Sequence, residues 1–194
     1  MEKTRFEMIK ERHTKTFEKA LNQGKMDPEI IELCSFVAKT KNYYTLSSCS
    51  GRIILLERQG DKKMENFFHR RWHRTITKEE LLDGLKEKVK GELWFKVDPF
   101  ILHIGCADLE HATKILDSMK DAGVKRGGIT LTKKGKFLLE LIGTERLEVP
   151  LKLGRKEIFS EEQITFLFEK ANPLLEKNFS RLKKLETAFK KNLT

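Results

Sequence analysis

The sequence predicts an α+β fold: a mixed, largely antiparallel β-sheet flanked by helices, in a single domain covering residues 1–194. Three observations point there. Amphipathic helical spacing marks both ends of the chain. Between those ends lie about six β-type runs in two groups, with another helical segment among them. No GxGxxG follows a first strand, and no Walker loop or GxSxG elbow occurs, which argues against a Rossmann-type sheet.

Taken in order, residues 4–23 place Phe6, Ile9, His13, Phe17 and Leu21 at three- and four-residue spacing, and Gly24 ends that helix. Asp27-Pro28 supplies an N-cap and a first-turn proline for a second helix to about Lys39, with Ile30, Leu33, Cys34 and Val37 on one face. A strand pair follows from Tyr43 to about Glu57. Residues 59–74 are polar and irregular, with a loop tip at Gln59-Gly60-Asp61-Lys62-Lys63. Thr77 and Glu80 form a capping box for a helix to about Lys90. Residues 92–98 and 100–106 are strands parted by Pro99, and in the second His103 shares a face with Gly105, opposite Leu102, Ile104 and Cys106. Asp108 caps the next helix, which Gly123 closes. Strands at 129–132, 137–142 and 146–151 precede a last helix opened by Ser160 and Gln163, in which Pro173 should produce a kink or a restart.

With 194 residues the chain suffices for one good core and is short for two. The formal net charge of +10 favours polyanionic partners, nucleic acid first and an acidic membrane surface second. No apolar run approaches the roughly 20 residues of a bilayer span, and the N-terminus lacks the apolar core of a signal peptide. Cys34, Cys49 and Cys106 are far apart and odd in number, as expected of reduced thiols in a cytoplasmic protein. They form neither zinc spacing nor an iron–sulfur run, so no metal is expected.

The chemistry centres on Tyr43-Tyr44-Thr45-Leu46-Ser47-Ser48-Cys49-Ser50-Gly51-Arg52. Small hydroxylated residues beside glycine let a ligand approach the backbone closely, and Arg52 offers a charged fork for carboxylate or phosphate. A serine-rich hairpin turn accounts for the same composition. The run Phe67-Phe68-His69-Arg70-Arg71-Trp72-His73-Arg74 mixes cations with aromatics, which suits phosphates and stacked bases or, equally, a loop anchored to the core. Gly123-Val124-Lys125-Arg126-Gly127-Gly128 suits an anion nest or a loop needing positive φ. His103 and His73 are the better placed histidines, whereas His13 and His111 have ordinary helix-face explanations.

Five tracts, in order along nearly the whole chain, resemble the tRNA wybutosine-synthesising protein 3 family. They are Tyr43 to Ile53, Trp94 to Cys106, Gly123 to Ile129, Leu147 to Leu151, and Ala171-Asn172. The departures are Asp98 where the family usually has glutamate, Gly127 where serine is frequent, and Ile142 where some relatives carry a basic residue. The resemblance implies an S-adenosylmethionine-dependent N4-methyltransferase acting on the wyosine-type base in the anticodon loop of phenylalanine tRNA, on a fold outside the Rossmann class. It implies donor or base contacts from Ser47, Ser48, Ser50, Gly51 and Arg52, and RNA contacts from Arg70, Arg71, Trp72, Arg74, Lys96, Lys125 and Arg126. If N4 must lose a proton, His103 is the first candidate base and His73 the second. The competing expectation is a non-catalytic tRNA- or rRNA-binding module whose serine-glycine segment is only a tight turn.

Overall fold

The computed structural model describes residues 3–60, 62–133 and 135–193. Asp61 of the expected loop tip lies outside them, as do Met1 and Glu2. The elements run α1 (Arg5–Asn22), α2 (Pro28–Lys39), β1 (Tyr43–Cys49), β2 (Arg52–Arg58), β3 (Asn66–Trp72), α3 (Lys78–Leu85), β4 (Glu92–Asp98), β5 (Ile101–Cys106), α4 (Leu109–Asp121), β6 (Arg126–Lys133), β7 (Lys136–Ile142), β8 (Leu147–Leu153), β9 (Lys156–Glu157) and α5 (Glu161–Asn192). The α+β class holds, and no parallel pair occurs among the described strands. Instead of one mixed sheet there are two antiparallel ones, ordered β1-β5-β7-β6 and β3-β2-β4-β8-β9. They fall in two compact units, residues 1–50 with 100–144 and 179–194, and residues 51–99 with 145–178.

This division corrects the hairpin expectation for the serine segment. β1 pairs with β5, whereas β2 pairs with β3 and β4, so Ser50-Gly51 is a connection between units rather than a turn. Gly51 has φ of 100°, a conformation that favours glycine.

In the first unit, period-two alternation sends Tyr43, Leu102, Ile104, Cys106, Leu139 and Leu141 to one face. There they pack with Ile30, Leu33 and Val37 of α2, Ile115 of α4, and Leu182, Leu185 and Phe189 of α5. Burying each of these large side chains contributes roughly 1.5–3 kcal/mol. On the opposite face α1 covers Tyr44, whose ring stacks on His13 at 5.0 Å and meets Phe6 at 5.8 Å. Gly105 makes this possible, because a Cβ there would lie 2.0 Å from Tyr44 Cζ.

In the second unit Ile53, Leu55, Leu93, Phe95 and Val97 are buried, as are Leu81 of α3 and Ala171 and Leu175 of α5. Asn172 fastens α5 to the segment before α3, donating to Ile76 O at 2.8 Å and accepting from Ile76 N at 3.0 Å. Helix α5 runs through Pro173 without a restart. Residues 66–72, expected as irregular, form edge strand β3 on β2. Its faces show no apolar alternation, because Phe67 and Phe68 are both exposed. Helix α3 stops at Leu85 rather than near Lys90, since Glu57 takes the N–H groups of Lys90 and Gly91 at 2.7 and 3.0 Å.

Candidate functional site

In the first unit, β1 breaks register between Thr45 and Ser48, so two residues, Leu46 and Ser47, face the single residue His103 of β5. Such bulges re-aim backbone and side chains. Here the Ser47 carbonyl turns to His103, which donates from Nδ1 at 2.9 Å, while Ser47 Oγ lies 3.3 Å away. The other ring nitrogen, Nε2, is 2.8 Å from Glu140 Oε2 on β7. Both nitrogens therefore face acceptors. To serve as a base, His103 would first have to break one of these bonds. Glu140 pairs in turn with Gly128 of β6, so bulge, His103, Glu140 and Gly128 form one row across the sheet.

The bulge borders a cavity of about 490 Å³. Its other walls are His13, Thr16, Phe17 and Ala20 of α1 and the connector Lys25-Met26-Asp27. Volume and mixed lining suit a small-molecule site. Ser47 and Ser48 line it. Ser50 is fully buried instead, and Asp27 Oδ2 accepts from its N–H at 2.8 Å and its hydroxyl at 3.1 Å. Asp27 stands at the N-cap position of α2 but makes no capping bond, its carboxylate being used to anchor the end of the serine segment.

His13 is the functional candidate that sequence reasoning missed. Its helical spacing marked it as an ordinary face residue, and nothing local showed that this face looks across at the bulge. Burial, then the Arg12 and Lys136 cations, hold its pKa below the usual histidine value. Arg12 Nη2 lies 3.4 Å from His13 Nε2, and a guanidinium can only donate, so that nitrogen accepts.

Lys125 and Arg126 are exposed. The expected glycine loop is the start of β6, and Gly127 is required there because a Cβ would lie 2.0 Å from Glu140 O.

The second unit holds the remaining candidates. Arg52 Nε donates to Asp98 Oδ2 at 3.0 Å, and its guanidinium sits 5.0 Å over the exposed ring of Phe68. Asp98 thus already supplies Arg52 with a carboxylate. Lys96 is held between Glu148 at 3.2 Å and Asp98 at 3.7 Å. Arg70 pairs with Glu87 in the loop after α3, and Arg74 with Glu80 of α3 through bonds of 2.6 and 3.0 Å. Arg71 is exposed, 5.5 Å over Phe68. Trp72 ends β3 half-buried, and His73 follows it, half-buried too. Among the described residues no helix is long and apolar enough to cross a membrane, and none of the three cysteines is in a disulfide.

Two antiparallel sheets, one with a cavity beside its bulged strand, define an α+β protein outside the doubly wound methyltransferase class. The chain belongs to the family described as Methyltransferase TYW3, which matches residues 3–191. A Pyrococcus horikoshii relative, named a tRNA(Phe) 7-((3-amino-3-carboxypropyl)-4-demethylwyosine(37)-N(4))-methyltransferase, is 34% identical over 94% of this chain and 93% of its own length. The human tRNA wybutosine-synthesizing protein 3 homolog is 36% identical over 84% of this chain and 64% of its own length. A solved structure of a Pyrococcus horikoshii protein superposes with a TM-score of 0.89 at 33% identity, covering 94% of each chain. One from Aeropyrum pernix, at 23% identity over 86% of this chain and 99% of its own, shares the fold with a TM-score of 0.74.

Proposed function

We propose that this chain transfers a methyl group from S-adenosylmethionine to N4 of the wyosine-type base in the anticodon loop of phenylalanine tRNA. The observation that carries this is the bulged serine segment at the cavity, in a chain whose family match spans residues 3–191. The lining residues fit the donor. Phe17, Met26 and Leu46 offer apolar surface for an adenine ring, while Thr16, Ser47 and Ser48 offer hydroxyls for ribose and amino-acid groups. Lys25 supplies a cation for a carboxylate. When bound there, S-adenosylmethionine supplies an electrophilic methyl group.

The protein's share is positioning and proton handling. As the new N–C bond forms, the acceptor nitrogen must shed its proton. His13 lines the cavity and is kept neutral by burial and by Arg12 and Lys136, so its imidazole takes that proton once Nε2 releases the Arg12 donor. His103 positions the bulge through Ser47 O and Glu140. His73 and Trp72 are left as RNA-facing candidates of the second unit, with Arg71 and the edge cations Lys125 and Arg126 as phosphate partners.

Titration calorimetry with S-adenosylmethionine tests the donor site. A saturable heat that Ser48→Phe abolishes by filling the cavity is expected. A silent titration with folded protein would leave the non-catalytic RNA-binding module as the better account.

A further inference from the structure

At one end of the second unit's sheet, two basic segments are bonded into a single surface. The loop after α3 carries Lys86, Lys88 and Lys90, Lys152 stands near the end of β8, and Arg155 lies in the turn between β8 and β9. Gly154 N donates to Gly91 O at 2.8 Å, and Lys152 Nζ donates to Leu85 O. Beneath the loop the buried Glu57 carboxylate accepts from Lys90 N at 2.7 Å, Gly91 N at 3.0 Å and His69 Nε2 at 2.6 Å. Gly91 has no room for a side chain, since a Cβ would lie 1.9 Å from Arg58 O. The loop is thus held in shape.

Loop and turn enclose a cavity of about 610 Å³ lined by these five cations and one carboxylate, Glu87. Glu87 is already taken by His69 and Arg70. Two further carboxylates stand at the margin, Asp83 at 3.6 Å from Lys86 and Glu157 at 3.3 Å from Lys152. Register locates the cavity: Arg52 pairs with Asp98, Arg58 with Glu92, and Glu92 with Leu153. Six residues of strand, roughly 20 Å, separate this end from Arg52.

We infer that this surface docks the sugar-phosphate backbone of the RNA substrate at a distance from Arg52. The inference rests on the proposed tRNA substrate and adds where that RNA is gripped. Several cations spread along two segments match a repeating phosphate chain better than one small anion, and they position without reading sequence. Leu153 at the end of β8 and Ile158 just after β9 are exposed, which makes an anionic membrane the competing ligand.

The test compares wild type, Lys88→Gln/Arg155→Gln, and Lys177→Gln/Lys184→Gln, which removes equal charge from exposed positions of α5. Binding of phenylalanine tRNA is followed against salt, and KM and kcat for methyl transfer are measured beside it. The first double variant should bind roughly tenfold more weakly near 0.15 M salt, lower the salt slope by about 1.4–1.8, and raise KM with kcat held. The α5 pair should do much less, and Lys88→Arg/Arg155→Lys should restore binding. Equal losses in both double variants, or none, would overturn the inference while leaving the methyltransferase assignment intact. So would loss of binding to phosphatidylserine vesicles with tRNA binding unchanged. Wild type that binds no tRNA would remove both.

Discussion

His13 and His103 look across the same bulge from different elements, and their ring contacts give them different work. His103 has Ser47 O and Glu140 as partners, whereas His13 accepts from Arg12 and is kept neutral. Because its pKa lies below the ordinary value near 6.5, His13 is unprotonated at neutral pH and gains a proton only as pH falls below that value. The acid limb of kcat/KM should therefore lie below pH 6.5. His13→Gln should lower kcat by about 10²–10⁴-fold and flatten that limb. A pH profile measured on both proteins decides it, because an unchanged limb in the variant would place the base elsewhere. Gly105→Ala probes the same neighbourhood through packing. Its methyl must displace Tyr44, on which His13 stacks, and should cost about 1–3 kcal/mol in denaturant unfolding.

Among elements, β1 and the loop after α3 are both shaped by buried acids that a local sequence pattern assigns to other tasks. Asp27 has the right place and type for an N-cap, yet it spends its carboxylate on Ser50. Asp27→Ala should orphan the buried Ser50 N–H and cost about 1–3 kcal/mol, readable by chemical denaturation. Glu57 sits in an apolar strand and meets four donors. Burial alone would raise its pKa, but the bonds from His69, Gly91 N, Gln59 and Lys90 N outweigh it and hold the group at about 2. Its contribution, about 3 kcal/mol by the size of the shift, is present above the unfolded value near 4.5. It is lost as pH falls from there towards 2. His69 runs the other way. Desolvation lowers its pKa, but the bonds it donates to Glu87 and Glu57 prevail and raise it above 6.5. Its contribution is full below 6.5 and is lost as pH rises through the raised value. Stability of wild type should thus fall on both sides of a plateau, and Glu57→Gln should reduce the acid-side loss. Denaturant midpoints across pH would show both.

At the scale of the whole chain, elements with strong local signals were legible and their partners were not. Capping boxes at Thr77 and the alternation about His103 and Gly105 need only neighbours in sequence, and both stand as expected. The division into two sheets depends on which strands β1 and β2 choose, a non-local matter that a serine-glycine segment between two apolar runs disguises as a hairpin. Strand β3 was hidden because both its faces mix aromatics with cations. The bulge at Leu46-Ser47 and the approach of α1 exist only after pairing, which is why Ser47 was legible as a candidate and the place of His13 in the same cavity wall was not. Arg70 and Arg74, read as members of one RNA-binding set, have acidic partners in Glu87 and Glu80 that residue spacing alone does not assign.

The central claim is methyl transfer to N4 of the wyosine precursor in phenylalanine tRNA. Its most direct measurement incubates the protein with methyl-labelled S-adenosylmethionine and phenylalanine tRNA carrying the 7-(3-amino-3-carboxypropyl)-4-demethylwyosine base, then digests the tRNA and identifies the labelled nucleoside. Label should appear as one N4-methyl product with the precursor tRNA, and not with tRNA lacking the tricyclic base. No incorporation into competent precursor tRNA, by protein shown to bind the donor, would contradict the account.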